Sequence, residues 1–416
     1  MFRFFAALLS VALWCAQVSQ AEEGQSITLD EVIARALKAS TTLQAQEQRI
    51  GGADAGIRQS RTMPNPELQA ELENFAGSGP FKGLNDSEIT VSVSQTIERS
   101  SKRDGRAAVA MSERDIAIIE RDNSRLEVVT QARRLFFEAC AAYAIMGVRR
   151  DQLQSAKQIE EMALRRVRSA RDPETVKLRA EMLRVEAEGA IERATLELES
   201  AKKGLASLMG DPAAVINIET GAFYSAPEGI ERPALELSPD VRVKDAAARQ
   251  AASKVELQNA NAGSDVSVGL GVRRFETGND IAGIVSLSVP LAVFDTNQGN
   301  IDQAAAEHRA ATLDAVEARR SAEREALTLQ TAVKNLRAEA LAIRTLLLPR
   351  AEEAVRVARR GYDAGAFSYL ELSESQRALL ELRVREVEVL RELHINVAAL
   401  DRLSSRDISI NQGQEP

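Results

Sequence analysis

Across 416 residues, aromatics make up 4% and charged residues 27%, with a formal net charge of −8. So few large apolar side chains are poor material for a thick globular core, and the acidic balance argues against nucleic-acid binding. The chain is rich instead in Ala, Leu, Glu and Arg, the make-up of long helices that meet along narrow seams of small residues.

The first stretch, MFRFFAALLSVALWCAQVSQA, sets Arg3 before an apolar run from Phe4 to Cys15 and small residues at Ser19 and Ala21. It predicts a secretory signal peptide over residues 1–21, since the run is too short for a membrane helix. Nothing later resembles a spanning helix, so a membrane location has to rest on strands. Trp14 is a poor residue to precede a lipidated Cys15. Cys140 is then the one mature cysteine, which excludes a disulfide framework.

Thr28 and Glu31 predict a capping box opening a helix that runs towards Met63 and is stopped by Pro64 and Pro66. A hairpin follows at 66–95. Its first run alternates Leu68, Ala70 and Leu72 against Glu67, Gln69, Glu71 and Glu73; its second sets Ile89, Val91 and Val93 against Glu88, Thr90, Ser92 and Ser94. From Gly105 to Arg168 a proline-free run predicts a rod of some sixty residues, roughly 90 Å long. Asp172 as N-cap and Pro173 at the first helical position start a return helix, which ends at Met209 before Gly210, Asp211 and Pro212. An irregular connector at 210–239 leads to another helix capped by Ser238 and Pro239.

The order then recurs. A second hairpin at 265–290 turns Val266, Val268, Leu270 and Val272 one way and Ser267, Gly269, Gly271 and Arg273 the other, followed by Val285, Leu287 and Val289 against Ala282, Ser286 and Ser288. Gly299 opens a second rod to about Arg360 with Pro349 as a bend, GYDAGAFS turns the chain, and Ser368 with Glu371 caps a return helix to Leu403. The tail at 406–416 is expected to be flexible. Ser92 and Gly105 fall opposite Ser286 and Gly299, each 194 positions on; Arg165 and Leu205 fall opposite Arg360 and Leu400, each 195 on. Residues 22–209 and 240–405 are thus two copies of one unit.

One such hairpin fits the edge of a soluble sheet as well as a membrane; two are harder to dismiss. Each run matches a strand crossing an apolar band of about 25 Å. Four strands cannot close a barrel, and an open edge in hydrocarbon leaves backbone groups unpaired at several kcal/mol each. Two copies would give eight strands filled by side chains, whereas three give twelve and leave a lumen, which suits the small polar inner face. Three chains also supply twelve helical columns, a ring of roughly 120 Å circumference with a bore near 30 Å.

The element order, together with MPNPELQAELENFAGSG at Met63 to Gly79, resembles the TolC family of outer-membrane factors over nearly all of the mature chain, and specifically its heavy-metal cation efflux branch of the cobalt-zinc-cadmium and copper-silver type. The resemblance implies a mostly α fold with a twelve-stranded trimeric barrel, a periplasmic helical tunnel and an equatorial belt from the connector. It implies as partners a periplasmic adaptor and an inner-membrane pump of the resistance-nodulation-division type. Many relatives carry an N-terminal lipid on cysteine, and this sequence departs from them.

Both helix-to-helix turns are candidate sites for adaptor docking and the tunnel entrance: Arg168, Asp172 and Pro173 in the first, Gly361, Asp363, Gly365 and Ser368 in the second. The same residues serve equally as turns and caps. By the resemblance, Asp363, Glu371 and Glu374 form an acidic ring that favours cations. Glu67, Gln69, Glu71, Glu73, Ser92 and Ser286 are expected to line the barrel; Leu68, Leu72, Val91, Val93, Val268, Leu270, Val285 and Leu287 are expected to face lipid. His308, His394 and Cys140 stand far apart without metal spacing, and no catalytic or cofactor motif appears. The sequence therefore reads as a passive duct for heavy-metal cations. A duct for drugs or secreted polypeptides is the alternative within this fold, and a periplasmic coiled-coil adaptor is the alternative outside it.

Overall fold

The computed structural model describes residues 26–225 and 235–405. The expected signal peptide and tail, and residues 226–234 of the connector, lie outside them. The order is β1 (Ser26–Ile27), α1 (Leu29–Ala39), α2 (Thr41–Ser60), β2 (Glu67–Glu73), β3 (Glu88–Ile97), α3 (Ser100–Arg168), α4 (Glu174–Leu208), β4 (Asn217–Ile218), α5 (Pro239–Asn261), β5 (Val266–Phe275), β6 (Ile281–Ser288), α6 (Gln298–Ala342), α7 (Leu348–Ala364) and α8 (Tyr369–Leu403).

The capping box at Thr28 and Glu31 is present, but the helix it opens stops after eleven residues. Ser40 turns extended and its Oγ accepts from the Leu43 amide at 3.3 Å, so one expected helix is two. Thr41 and Thr42, β-branched and weak in helices, follow the break. In contrast, α3 is longer than expected. It starts at Ser100 and runs for 69 residues, about 100 Å. Gly105 does not open it but sits inside it, where a Cβ would stand 3.2 Å from Leu257 of α5.

Along α3 the buried positions are mostly small: Ala132, Ala139, Cys140, Ala144, Ala156 and Ala163. On α4, which packs along α3, Ala180, Ala187, Ala190 and Ala194 are buried in the same way, so the helices approach closely with little apolar volume. Two denser clusters interrupt the seam. The central one joins Val32, Phe136, Phe137, Leu205, Phe223 and Val389; the other, near the helical turns, joins Ile159, Met162, Tyr362, Tyr369 and Leu372.

The described part of the connector docks at the central cluster. Its β4 pairs in parallel with β1, and Phe223 is fully buried. His394 of α8 stacks on Phe137 of α3 at 3.9 Å and its Nε2 donates to the Phe223 carbonyl at 2.9 Å. Ser238 stands at the N-cap of α5 without capping it, its buried Oγ unbonded. The bend expected at Pro349 is a π turn at Ile343–Leu347, one turn earlier, which absorbs the hydrogen bond that proline cannot donate.

Candidate functional site: an inverted sheet and a braced helical tip

The two hairpins form one antiparallel sheet in the order β2-β3-β5-β6, leaving β2 and β6 as unpaired edges. Register places apolar residues in rows across all four strands: Leu68, Val93, Leu270 and Val285 in one, Ala70, Val91, Val272 and Gly283 in the next. This face is the exposed one, with Leu68 at 74%, Val93 at 48%, Leu270 at 65% and Val285 at 78%. Leu72, Val91 and Leu287 are exposed as well, and Val268 is half-buried beside Gln95.

The opposite face carries Glu67, Ser94, Gly269 and Ser286 in one row and Gln69, Ser92, Gly271 and Ile284 in the next. It is crowded. Thr90 is buried, a Cβ at Gly269 would collide with Ser286 Oγ, and one at Gly271 would lie 2.8 Å from Ser92 Cβ. Glycines at β5 thus leave room for the side chains of neighbouring strands on the polar side. Near the loop end, Arg273 joins Glu73 at 3.0 Å, Glu88 at 2.9 Å and Thr90 Oγ1 at 2.9 Å, alongside Glu71 on the same face. A water-soluble sheet buries its apolar face; this one exposes it.

At the other end of the rods the two helical turns meet. Asp172, expected as the N-cap of α4, does not cap it; Pro173 occupies that position without a side-chain bond. The Asp172 carboxylate is instead gripped by Arg166, Nε to Oδ2 at 2.9 Å and Nη2 to Oδ1 at 3.1 Å, and accepts from Tyr362 Oη at 2.7 Å. Arg166 also donates to the Tyr362 carbonyl at 2.7 Å and lies 4.7 Å above its ring. Tyr362 belongs to α7, so this network ties the two repeats together. The Arg166 bonds hold the Asp172 carboxyl below its usual range, and burial, aided by the bond to Asp172, pushes the Tyr362 hydroxyl up.

The second turn is shorter than expected because Gly361 and Asp363 are still helical. Gly365, at φ 82°, is the left-handed residue that ends α7, and the Ala366 amide returns to the Gly361 carbonyl at 2.8 Å. Phe367 packs on Gly361 where a Cβ would collide with its ring. Ser368 and Glu371 form the expected capping box, so the Glu371 carboxylate is held low by the Ser368 amide while staying exposed. Arg168, Pro173, Asp363 and Glu374 are exposed. Arg166 and Tyr362 were not among the expected site residues. Their signal was the duplication itself, which sets positions about 195 apart at one level.

A family model described as "Outer membrane efflux protein" matches residues 32–211 and 232–405. The chain belongs to that family. These are channel proteins of the outer membrane with a periplasmic helical extension, not enzymes. This outer membrane efflux protein is 27% identical over 390 residues to the cobalt-zinc-cadmium resistance protein CzcC of Cupriavidus metallidurans, covering 92% of this chain and 91% of that one. Its fold matches the outer membrane protein VceC of Vibrio cholerae, with TM-score 0.75 and 19% identity over 91% of this chain and 96% of the other. It also matches CusC, with TM-score 0.76 and 17% identity over 90% and 91%. The mostly helical fold with a small sheet agrees with the sequence reading; among the described residues the hairpins form one open four-stranded sheet and no closed barrel.

Proposed function

We propose that three copies of this chain close their sheets into a twelve-stranded barrel and form a passive exit duct for heavy-metal cations. The observation that carries this reading is the inverted sheet, apolar on its exposed face, polar and crowded at β5 on the other, and unpaired at both edges. An edge in hydrocarbon is too costly to leave open, so β6 of one copy meets β2 of the next. Leu68, Leu72, Val91, Val93, Val268, Leu270, Val285 and Leu287 then face lipid, and Glu67, Gln69, Glu71, Glu73, Ser92 and Ser286 line the lumen.

The cargo follows from the resistance protein named above, a relative along nearly its whole length. Asp363, Glu371 and Glu374 supply exposed carboxylates near the tip, where a threefold ring would concentrate cations. The turns at Arg168–Pro173 and Gly361–Ser368 are the docking surface for a periplasmic adaptor, which couples the duct to an inner-membrane pump of the resistance-nodulation-division type. The duct's energy comes from that pump.

Sedimentation in detergent is expected to give a trimer, and planar bilayers a cation-preferring conductance. A monomer that conducts nothing would remove the barrel. A deletion strain is expected to lose tolerance to cobalt, zinc and cadmium; unchanged metal tolerance with new drug sensitivity would reassign the cargo.

A further inference from the structure

The two hairpins share a shape but not a charge. Phe75 and Phe275 stand 200 positions apart, and on that register Glu67, Gln69, Glu71 and Glu73 of β2 answer to Ser267, Gly269, Gly271 and Arg273 of β5. One strand is acidic and its counterpart is not. Among the described residues, the polar face of the four strands carries the carboxylates Glu67, Glu71, Glu73 and Glu88 against a single cation, Arg273. Arg274, the other cation of these strands, lies on the apolar face in the row of Ile89 and Ile281.

Arg273 stands one row in from the loop end, where the register sets Glu73 directly opposite Glu88. Two carboxylates facing each other across an antiparallel pair repel. The guanidinium lies between them, Nη2 to Glu73 Oε2 at 3.0 Å and Nη1 to Glu88 Oε2 at 2.9 Å, while its Nε donates to the buried Thr90 Oγ1 at 2.9 Å. Asn74 Nδ2 steadies the other oxygen of Glu88 at 2.9 Å. Every nitrogen of the fork thus meets an oxygen, and three oxygens from β2 and β3 are drawn around one position. Without the guanidinium, two carboxylate oxygens and a hydroxyl would surround an empty place. That is a donor set a divalent cation accepts.

We propose that Arg273 guards the outer mouth of the duct against its own cargo, filling the place between Glu73 and Glu88 where a divalent cation would otherwise lodge. The inference rests on the barrel and the metal cargo proposed above. Three copies set three such places around one mouth, and a conduit passes ions only where binding is weak enough for them to leave. Glu73 and Glu88 are the one pair of carboxylates that the register brings face to face in the sheet. Glu67 and Glu71, four residues apart on one strand, are roughly 13 Å from each other and cannot share an ion. They draw cations in without holding them, and the guanidinium keeps the exit clear.

Current through the full-length protein in a planar bilayer tests this, with millimolar cadmium chloride added on the outer side only. Wild type is expected to keep its current in cadmium, whereas that of Arg273→Gln falls several-fold and returns when a chelator is added. Adding Glu73→Gln and Glu88→Gln to Arg273→Gln removes the oxygens and is expected to abolish the block. Arg273→Gln no more sensitive than wild type, or a block that survives loss of both carboxylates, overturns the guard and leaves the duct standing. A wild-type protein that conducts nothing removes the barrel itself. If Arg273→Gln assembles poorly, its heat stability in detergent decides instead: an ion held only by the folded state stabilises it, so cadmium is expected to raise the melting temperature of the variant and not of wild type. Assembly and melting that cadmium leaves unimproved would make Arg273 a brace of the sheet alone and overturn the proposal.

Discussion

At the sheet, Leu270 and Val285 stand open on a face with nothing from their own chain over it, whereas at the helical tip Tyr362 and Leu372 are sealed beneath their own chain's helices. The tip is closed by groups that all belong to one protomer: an arginine, a carboxylate and a tyrosine drawn from two repeats. The sheet leaves the covering of its apolar face and the pairing of its two edges to be supplied from outside. The tip thus has a core closed by its own chain, with Leu178 and Leu370 left exposed around it, whereas the apolar face of the sheet has no cover from its own chain.

The contrast is broken most directly by Leu270→Arg. On the surface of a water-soluble protein such a change at an exposed site stays within about 0.5 kcal/mol. At the middle of a lipid-facing strand it costs about 2–4 kcal/mol in each copy. Outer-membrane fractions are expected to lose the assembled protein; undiminished assembly would return the sheet to water.

At the tip, Asp172→Ala leaves Arg166 and the Tyr362 hydroxyl without their carboxylate. Hydrogen bonds to a charged group contribute about 1.5–3 kcal/mol, so amides near Arg166 and Tyr362 are expected to exchange some ten- to a hundredfold faster. Exchange at the sheet should not change. Unaltered protection at both turns would mean that the network is an ornament on a tip held by apolar packing alone. Because the carboxyl is held low by Arg166, its contribution is present above the unfolded carboxylate range and fades as pH falls through the lower folded value.

A smaller effect separates the two faces of one strand. Gly271→Ala adds a methyl group to the crowded polar face, 2.8 Å from Ser92 Cβ and 3.0 Å from the Val91 carbonyl, and is expected to cost about 1 kcal/mol of over-packing. Gly283→Ala, where a Cβ meets nothing within 4 Å, is the control. Comparable heat stability of the two variants would deny that the polar face is crowded at β5.

What the sequence displayed was whatever repeats at short range. Period-two alternation gave the four strands, and both capping boxes were readable because Thr28 and Ser368 lie three residues from their glutamates. Asp172 misled for the same reason: next to Pro173 it has the local signature of a cap, while its partner Tyr362 lies 190 positions away. Gly105 looked like a start and is a contact, since only the fold shows that Leu257 passes beside it. Alternation also left the direction of the sheet open, because a period of two says that faces differ and not which one is wet. In the structure the apolar rows are the exposed ones, and the polar side is crowded at Gly269.

An effect of similar size concerns the connector, which neither end controls. His394 is buried between Phe137 and the Phe223 carbonyl, and burial, only partly opposed by that hydrogen bond, lowers its affinity for a proton. The unfolded chain therefore binds a proton first as pH falls. Stability from this contact is complete above the ordinary histidine value of about 6.5 and declines below it, by up to about 1.4 kcal/mol per pH unit until the folded value is reached. Amides from Ile216 to Tyr224 are expected to lose protection between neutral pH and about pH 5.5, more than those at the apolar seam around Ala187. His394→Gln, which keeps a side-chain donor without a titrating ring, should flatten that pH response; a response of equal size in the variant would assign it to carboxylates elsewhere in the rods.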